Sequence, residues 1–202
     1  MNNLSKLVIA ALAFGGSIST ASAAGVITDI TASGEGMGTF NILSNTTDPN
    51  VLDLTKSFES VNPIVLTFTV AHTDGPGNPY TVTEAVTNNT GQSWIDFHYS
   101  IQEPDQGQGV VFTEHASSTL SGFTLDQSSG PRNLDFTGNL GDDGIANASF
   151  MLSPFDPGAG NTTTFTLTQV PTIPEPETYA MLLAGLGMMG FIARRRNSKQ
   201  SG

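Results

Sequence analysis

The sequence predicts an all-β body folded as an antiparallel sandwich, and three observations carry that expectation. Between residues 24 and 173 apolar and polar residues alternate at period two almost throughout, the pattern of strands with one buried face. No amphipathic helix of convincing length interrupts the alternation. Dense turn sequences punctuate it: Asp74 to Pro79 (DGPGNP), Asn88 to Gly91 (NNTG), Pro104 to Gly109 (PDQGQG), Gly141 to Gly144 (GDDG) and Pro154 to Asn161 (PFDPGAGN). Glycine and asparagine accept positive φ and proline pre-sets a turn, so these clusters reverse the chain and leave no room for the crossover helices of a parallel sheet. The architecture expected is a jelly-roll or immunoglobulin-like sandwich.

In chain order, strands are expected at Val26 to Ala32, Met37 to Leu43, Ile64 to Ala71, Tyr80 to Thr87, Ser93 to Ile101, Val110 to Thr113, Gly122 to Leu125, Leu134 to Phe136, Ala146 to Leu152 and Thr162 to Val170. Each is short, rich in β-branched or aromatic residues and bounded by turn formers. Val51 to Val61 reads either as an edge strand or as one turn of helix. Asn88 to Gly91 is read as a four-residue hairpin loop, setting Thr87 opposite Gln92, Val82 opposite Phe97 and Tyr80 opposite Tyr99. That register places Trp94, Asp96 and His98 together on the polar face.

Composition bounds the chemistry of this body. Residues 24–173 are the length of one domain and hold Phe at ten positions, enough apolar side chain for a core. They carry 16 Asp and Glu against Lys56 and Arg132, a net charge of −14, beyond the −11 of the whole chain. Such a surface repels nucleic acid and anionic membrane. The chain has no cysteine, which excludes disulfides, thiolate metal sites and cysteine nucleophiles.

Motifs of hydrolytic and phosphate chemistry (G-x-S-x-G, H-E-x-x-H, the P-loop) are missing from the sequence. His72, His98 and His115 each sit near an acid, but acids are frequent here, and surface or turn histidines are the expected reading. A glycosidase needs two carboxylates about 5 to 10 Å apart, and sequence selects no pair among sixteen. Asp74, Asp142 and Asp143 beside glycine are read as solvated turn acids rather than calcium ligands. The expectation is a protein that is not an enzyme and uses no metal or cofactor. Trp94, with Asp96 and His98, is the candidate platform for a sugar ligand, against the stronger expectation that the ring packs under a loop.

Both ends of the chain read as addresses. Lys6, the apolar stretch Leu7 to Phe14, and Ala21 and Ala23 flanking Ser22 make a secretory signal peptide cut by signal peptidase after Ala23. At the other end Pro174, Glu175, Pro176, Glu177 and Thr178 lead into Tyr179 to Ala193, 15 residues without charge, and then Arg194, Arg195 and Arg196. As a helix over about 179–193 this run reaches about 22 Å, against a hydrocarbon core of about 30 Å, so it spans only marginally. The prolines keep the preceding stretch out of helix and sheet, where a protease can reach it. Positive charge at Lys6 and at the arginines resists translocation and places the middle of the chain outside. Gly185, Gly187 and Gly190 spell GxGxxG, but the chain ends too soon for a dinucleotide fold, and small residues along a membrane helix explain them better.

The order of proline-acid-proline, short apolar helix and arginine cluster resembles the PEP-CTERM signal of exported bacterial proteins over Pro174 to Arg196. The resemblance implies recognition by an exosortase-type membrane protease-transpeptidase, transient residence in the inner membrane through the C-terminal helix, and delivery to the cell envelope, outer surface or extracellular matrix. The string NNTGQSWIDFH also resembles a pattern in the bodies of other PEP-CTERM proteins. The role expected is that of a non-catalytic surface or exopolysaccharide-associated component. A carbohydrate-binding module is the first rival, and a polysaccharide-active enzyme the second.

Overall fold

The computed structural model describes residues 25–43, 50–74, 78–103, 109–174 and 180–189. Among them twelve strands form two sheets: β1 (Val26–Ser33), β2 (Met37–Leu43), β3 (Val51–Phe58), β4 (Ile64–Ala71), β5 (Tyr80–Asn88), β6 (Trp94–Gln102), β7 (Val111–Thr113), β8 (Thr119–Leu120), β9 (Phe123–Leu125), β10 (Asn133–Leu140), β11 (Ile145–Ser153) and β12 (Thr162–Thr172). The first sheet runs β1-β4-β12-β6-β10-β9 and the second β2-β3-β5-β11-β7, with β8 also paired to β11. The body is therefore all-β, and each expected strand has its counterpart.

Alternation fixes what each strand buries. Ile64, Leu66, Phe68 and Val70 of β4 point inward, as do Val82 and Val86 of β5 and Phe150 and Leu152 of β11. Phe68 and Phe165, partners in the β4–β12 register, stack with centroids 4.7 Å apart. Rings also join the two sheets across the interior. Phe58 of β3 meets Trp94 and Phe97 of β6 edge-on, and Tyr99 of β6 meets Phe150 of β11 at 5.1 Å.

Two expectations are corrected. The hairpin of Tyr80 to Ile101 does not form: β5 pairs with β3 and β11 in one sheet, while β6 pairs with β12 and β10 in the other. Residues 89–93 form an arch between sheets. A strand with one apolar face satisfies itself equally by lying beside its neighbour or by facing it across the core, and here the two apolar faces oppose each other. The second correction concerns Val51 to Val61. It holds an interior strand, β3, lying between β2 and β5, and its pairing with β5 is parallel, so the body is not strictly antiparallel.

The arch explains the string NNTGQSW. Asn88 is fully buried, and its Nδ2 donates to the carbonyls of Gln92, Leu140 and Gly141. Its Oδ1 accepts from the N–H and hydroxyl of Thr90, and Thr90 Oγ1 in turn accepts from Trp94 Nε1 at 3.1 Å. Gly91 sits at φ +74°, where a side chain is strained, and its N–H donates to Asp142 Oδ1.

Candidate functional site

A polar cluster is closed inside the apolar core. Lys56 from β3 and Glu84 from β5 belong to the second sheet, and Tyr99 from β6 and Gln169 from β12, register partners, belong to the first. Lys56 Nζ lies 2.5 Å from Glu84 Oε2, and both side chains are 0 % exposed. Tyr99 donates its hydroxyl to the same oxygen at 3.2 Å, and Gln169 Nε2 donates to Glu84 Oε1 at 3.0 Å. The ammonium nitrogen is 6.0 Å from the centroid of the Tyr99 ring. Burial lowers the pKa of Lys56 below the ordinary lysine value, outweighing the opposite pull of Glu84. Burial, reinforced by the Glu84 charge, pushes the Tyr99 phenol well above its usual value. All four side chains are closed off from solvent in this structure.

The residues of the candidate platform are separated by the fold. Trp94 is fully buried against Phe58 and Phe97, while Asp96 and His98 are only partly covered. His98 Nδ1 lies 2.8 Å from Asp135 Oδ1, and Ser129 donates to the other oxygen of Asp135. Every aromatic side chain among the described residues is buried or half-buried. The structure thus brings His98 and Asp96 to one strand face and leaves the indole on the other side of it.

His72, just after β4, bridges two acids: Nδ1 is 2.9 Å from Asp156 Oδ1 and Nε2 is 3.0 Å from Asp74 Oδ1. These hydrogen bonds, that from Asp156 foremost, raise the pKa of His72 above the ordinary value. Asp156 is lowered, first by the N–H of Gly158 and then by His72. Among the described residues no group of three or more His, Asp or Glu side chains gathers to hold a metal ion.

The C-terminal address starts where the body ends. β12 closes with Thr172, Ile173 still packs against the core, and Pro174 is half-buried. Residues 180–189 are helical and expose Met181, Leu182, Leu183, Leu186, Met188 and Met189. No helix among the described residues is long and apolar enough to cross a membrane. Residues 172–196 match the model of the PEP-CTERM protein-sorting motif. The chain carries a PEP-CTERM sorting motif. The match takes in Pro174, Glu175, Pro176 and Arg194 to Arg196, and it is consistent with an exosortase substrate. Glu175, Pro176, the three arginines and the ends of the expected 179–193 helix lie outside the described residues, as do Ala21 and Ala23 of the signal peptide. Comparison with curated proteins and with solved structures found no match.

Sequence reasoning passed over the buried cluster, although a signal was present. Lys56 stands at an inward position in Leu54-x-Lys56-x-Phe58, Glu84 in Val82-x-Glu84-x-Val86, and Gln169 in Leu167-x-Gln169-x-Pro171. One polar residue at the same phase in three apolar stripes is the mark of a shared interior network.

Proposed function

We propose that the protein is an exported envelope component, sorted by its C-terminal signal and acting at the cell surface or in the exopolysaccharide matrix without turning over a diffusible substrate. The observation that carries this reading is the sorting motif itself, which opens at residue 172, the last residue of β12, so that body and address are continuous. The body's charge of −14 suits a soluble domain held off anionic lipid once the tail is gone. A sugar-binding module built on Trp94 would need that ring at the surface, and it is buried.

The reading is tested by replacing Pro174, Glu175 and Pro176 with alanine in the full chain, followed by cell fractionation and mass spectrometry of the C-terminus. Export through the signal peptide continues, and the body is held in the inner membrane with its tail intact. Wild-type protein recovered outside the cell lacks Arg194 to Gly202. An uncut tail on that extracellular protein would overturn the reading.

A further inference from the structure

The buried cluster has the layout of a reaction as well as of an ion pair. Glu84 holds an amine on one oxygen, Lys56 Nζ at 2.5 Å from Oε2, and a carboxamide on the other, Gln169 Nε2 at 3.0 Å from Oε1. Amine and amide are therefore held by a single carboxylate. A second observation singles out the amide. Gln169 is fully buried, yet its Oε1 finds no hydrogen-bond partner among the described residues. A buried carbonyl oxygen without a protein partner calls for an explanation, and a strand register could be set by Lys56 and Glu84 without it. Lys56 is also the single lysine between residues 24 and 173, on a body whose acidic surface would welcome cations, and it is placed inside.

We propose that the folded body closes an intramolecular amide bond between Lys56 Nζ and Gln169 Cδ, with Glu84 moving the protons. The neutral amine attacks the amide carbon, forming the new C–N bond. The Glu84 carboxylate takes a proton from the attacking Nζ, and the carboxylic acid so formed gives a proton to the departing Nε2, which lies on its other oxygen. The old C–N bond breaks, ammonia leaves, and Glu84 returns to its starting state. Atoms and charge balance without oxidant, metal or co-reactant. Burial favours the step by disfavouring the ammonium form of Lys56, by excluding water that would compete for the carbon, and by holding both groups in place.

The bond would tie β3 of one sheet to β12 of the other, four residues before Ile173. Any pull on the C-terminal tail would then pass from β12 into a covalent tie across the core. The inference does not depend on where the protein is sorted, and its test does not involve the tail.

Full-length protein is denatured, digested with trypsin and analysed by tandem mass spectrometry. The expected product is a branched peptide joining the Lys56 and Gln169 segments, lighter by one ammonia than their sum, with cleavage after Lys56 lost. Lys56→Met and Gln169→Met abolish the branch. Glu84→Gln, which keeps the size and removes the base, leaves separate peptides with normal cleavage after Lys56. Should a variant fail to fold, the wild-type digest still decides. Separate wild-type peptides retaining both nitrogens overturn the proposal, and a branch persisting in Glu84→Gln overturns the role of Glu84.

Discussion

Trp94 shows how far one side chain can be read before the fold is known. Its alternation with Asp96 and His98 put it on a polar face, but Trp94 and Phe97, three apart, both lie in the core, so the period breaks between them. The β6–β10 register is irregular at the same place, between Thr137 and Leu140, and a local irregularity of this kind re-aims a side chain without any mark in composition. Trp94→Ala removes a ring packed edge-on to Phe58 and leaves Thr90 Oγ1 without its indole donor. The expected loss is about 3 to 5 kcal/mol in a urea titration. A variant as stable as wild type would place the ring outside the core. Lys56 is an obstacle of another kind. A charged side chain at an inward position interrupts the apolar stripe of β3, within the stretch Val51 to Val61 that reads either as an edge strand or as one turn of helix. The buried site was legible only by treating Lys56, Glu84 and Gln169 as core positions, a step that propensity and charge both discourage.

At the scale of elements, strand existence was legible and strand partnership was not. Val82 and Val86 on one side and Phe97, Tyr99 and Ile101 on the other announce two inward faces, and a turn of asparagine and glycine serves a hairpin or an arch equally well. The tertiary bonds of Asn88 to Leu140 and Gly141 decide it, and these partners lie more than fifty positions away. Gly91→Ala tests the arch at its tightest point. A Cβ there meets nothing within 4 Å, so the cost is that of the left-handed backbone alone, roughly 1 to 2 kcal/mol, read as a shift in denaturation midpoint with unchanged slope. A neutral result would mean the loop relaxes out of this conformation. The β11–β12 loop is held differently, by His72 and Asp156, with side chains 27 % and 11 % exposed. His72 has its pKa raised from 6.5, so its contribution is complete below that value and fades as pH rises through the folded pKa. Asp156 has its pKa lowered from 3.8, so its contribution is present above that value and is lost as pH falls through the folded pKa. The strap is therefore tightest between the two ordinary values. NMR titration of His72 should give a pKa above 6.5, falling back toward it in Asp156→Asn. An unchanged value in the variant would show that Asp156 does not hold the imidazole.

For the molecule as a whole, charge is the property read most directly from sequence, and the fold sharpens it. Of the two basic side chains, lysine or arginine, among residues 24–173, Lys56 is sealed in the core and Arg132 is bound to Glu103 at 2.7 Å, so neither is free to relieve the field of the remaining carboxylates. Three acids stand at the end of the body that holds the arch: Asp96 is the register partner of Thr172, Asp142 accepts from the N–H of Gly91, and Glu59 accepts from Asn89. The compact state concentrates this charge more than the unfolded chain does, so self-repulsion opposes folding and salt relieves it. Among the described residues, surface ion pairs that salt would weaken are few by comparison. Raising sodium chloride from about 0.01 M to about 0.15 M shortens the screening length from about 30 Å to about 8 Å, within the span of one domain. The melting temperature of the protein is therefore expected to rise over that range. Calcium chloride at equal ionic strength is the control, because screening alone makes the two salts equivalent. A melting temperature that falls with sodium chloride would show that attraction, not repulsion, dominates the surface. A calcium-specific rise would point to a cation site formed by acids that stand apart in this structure.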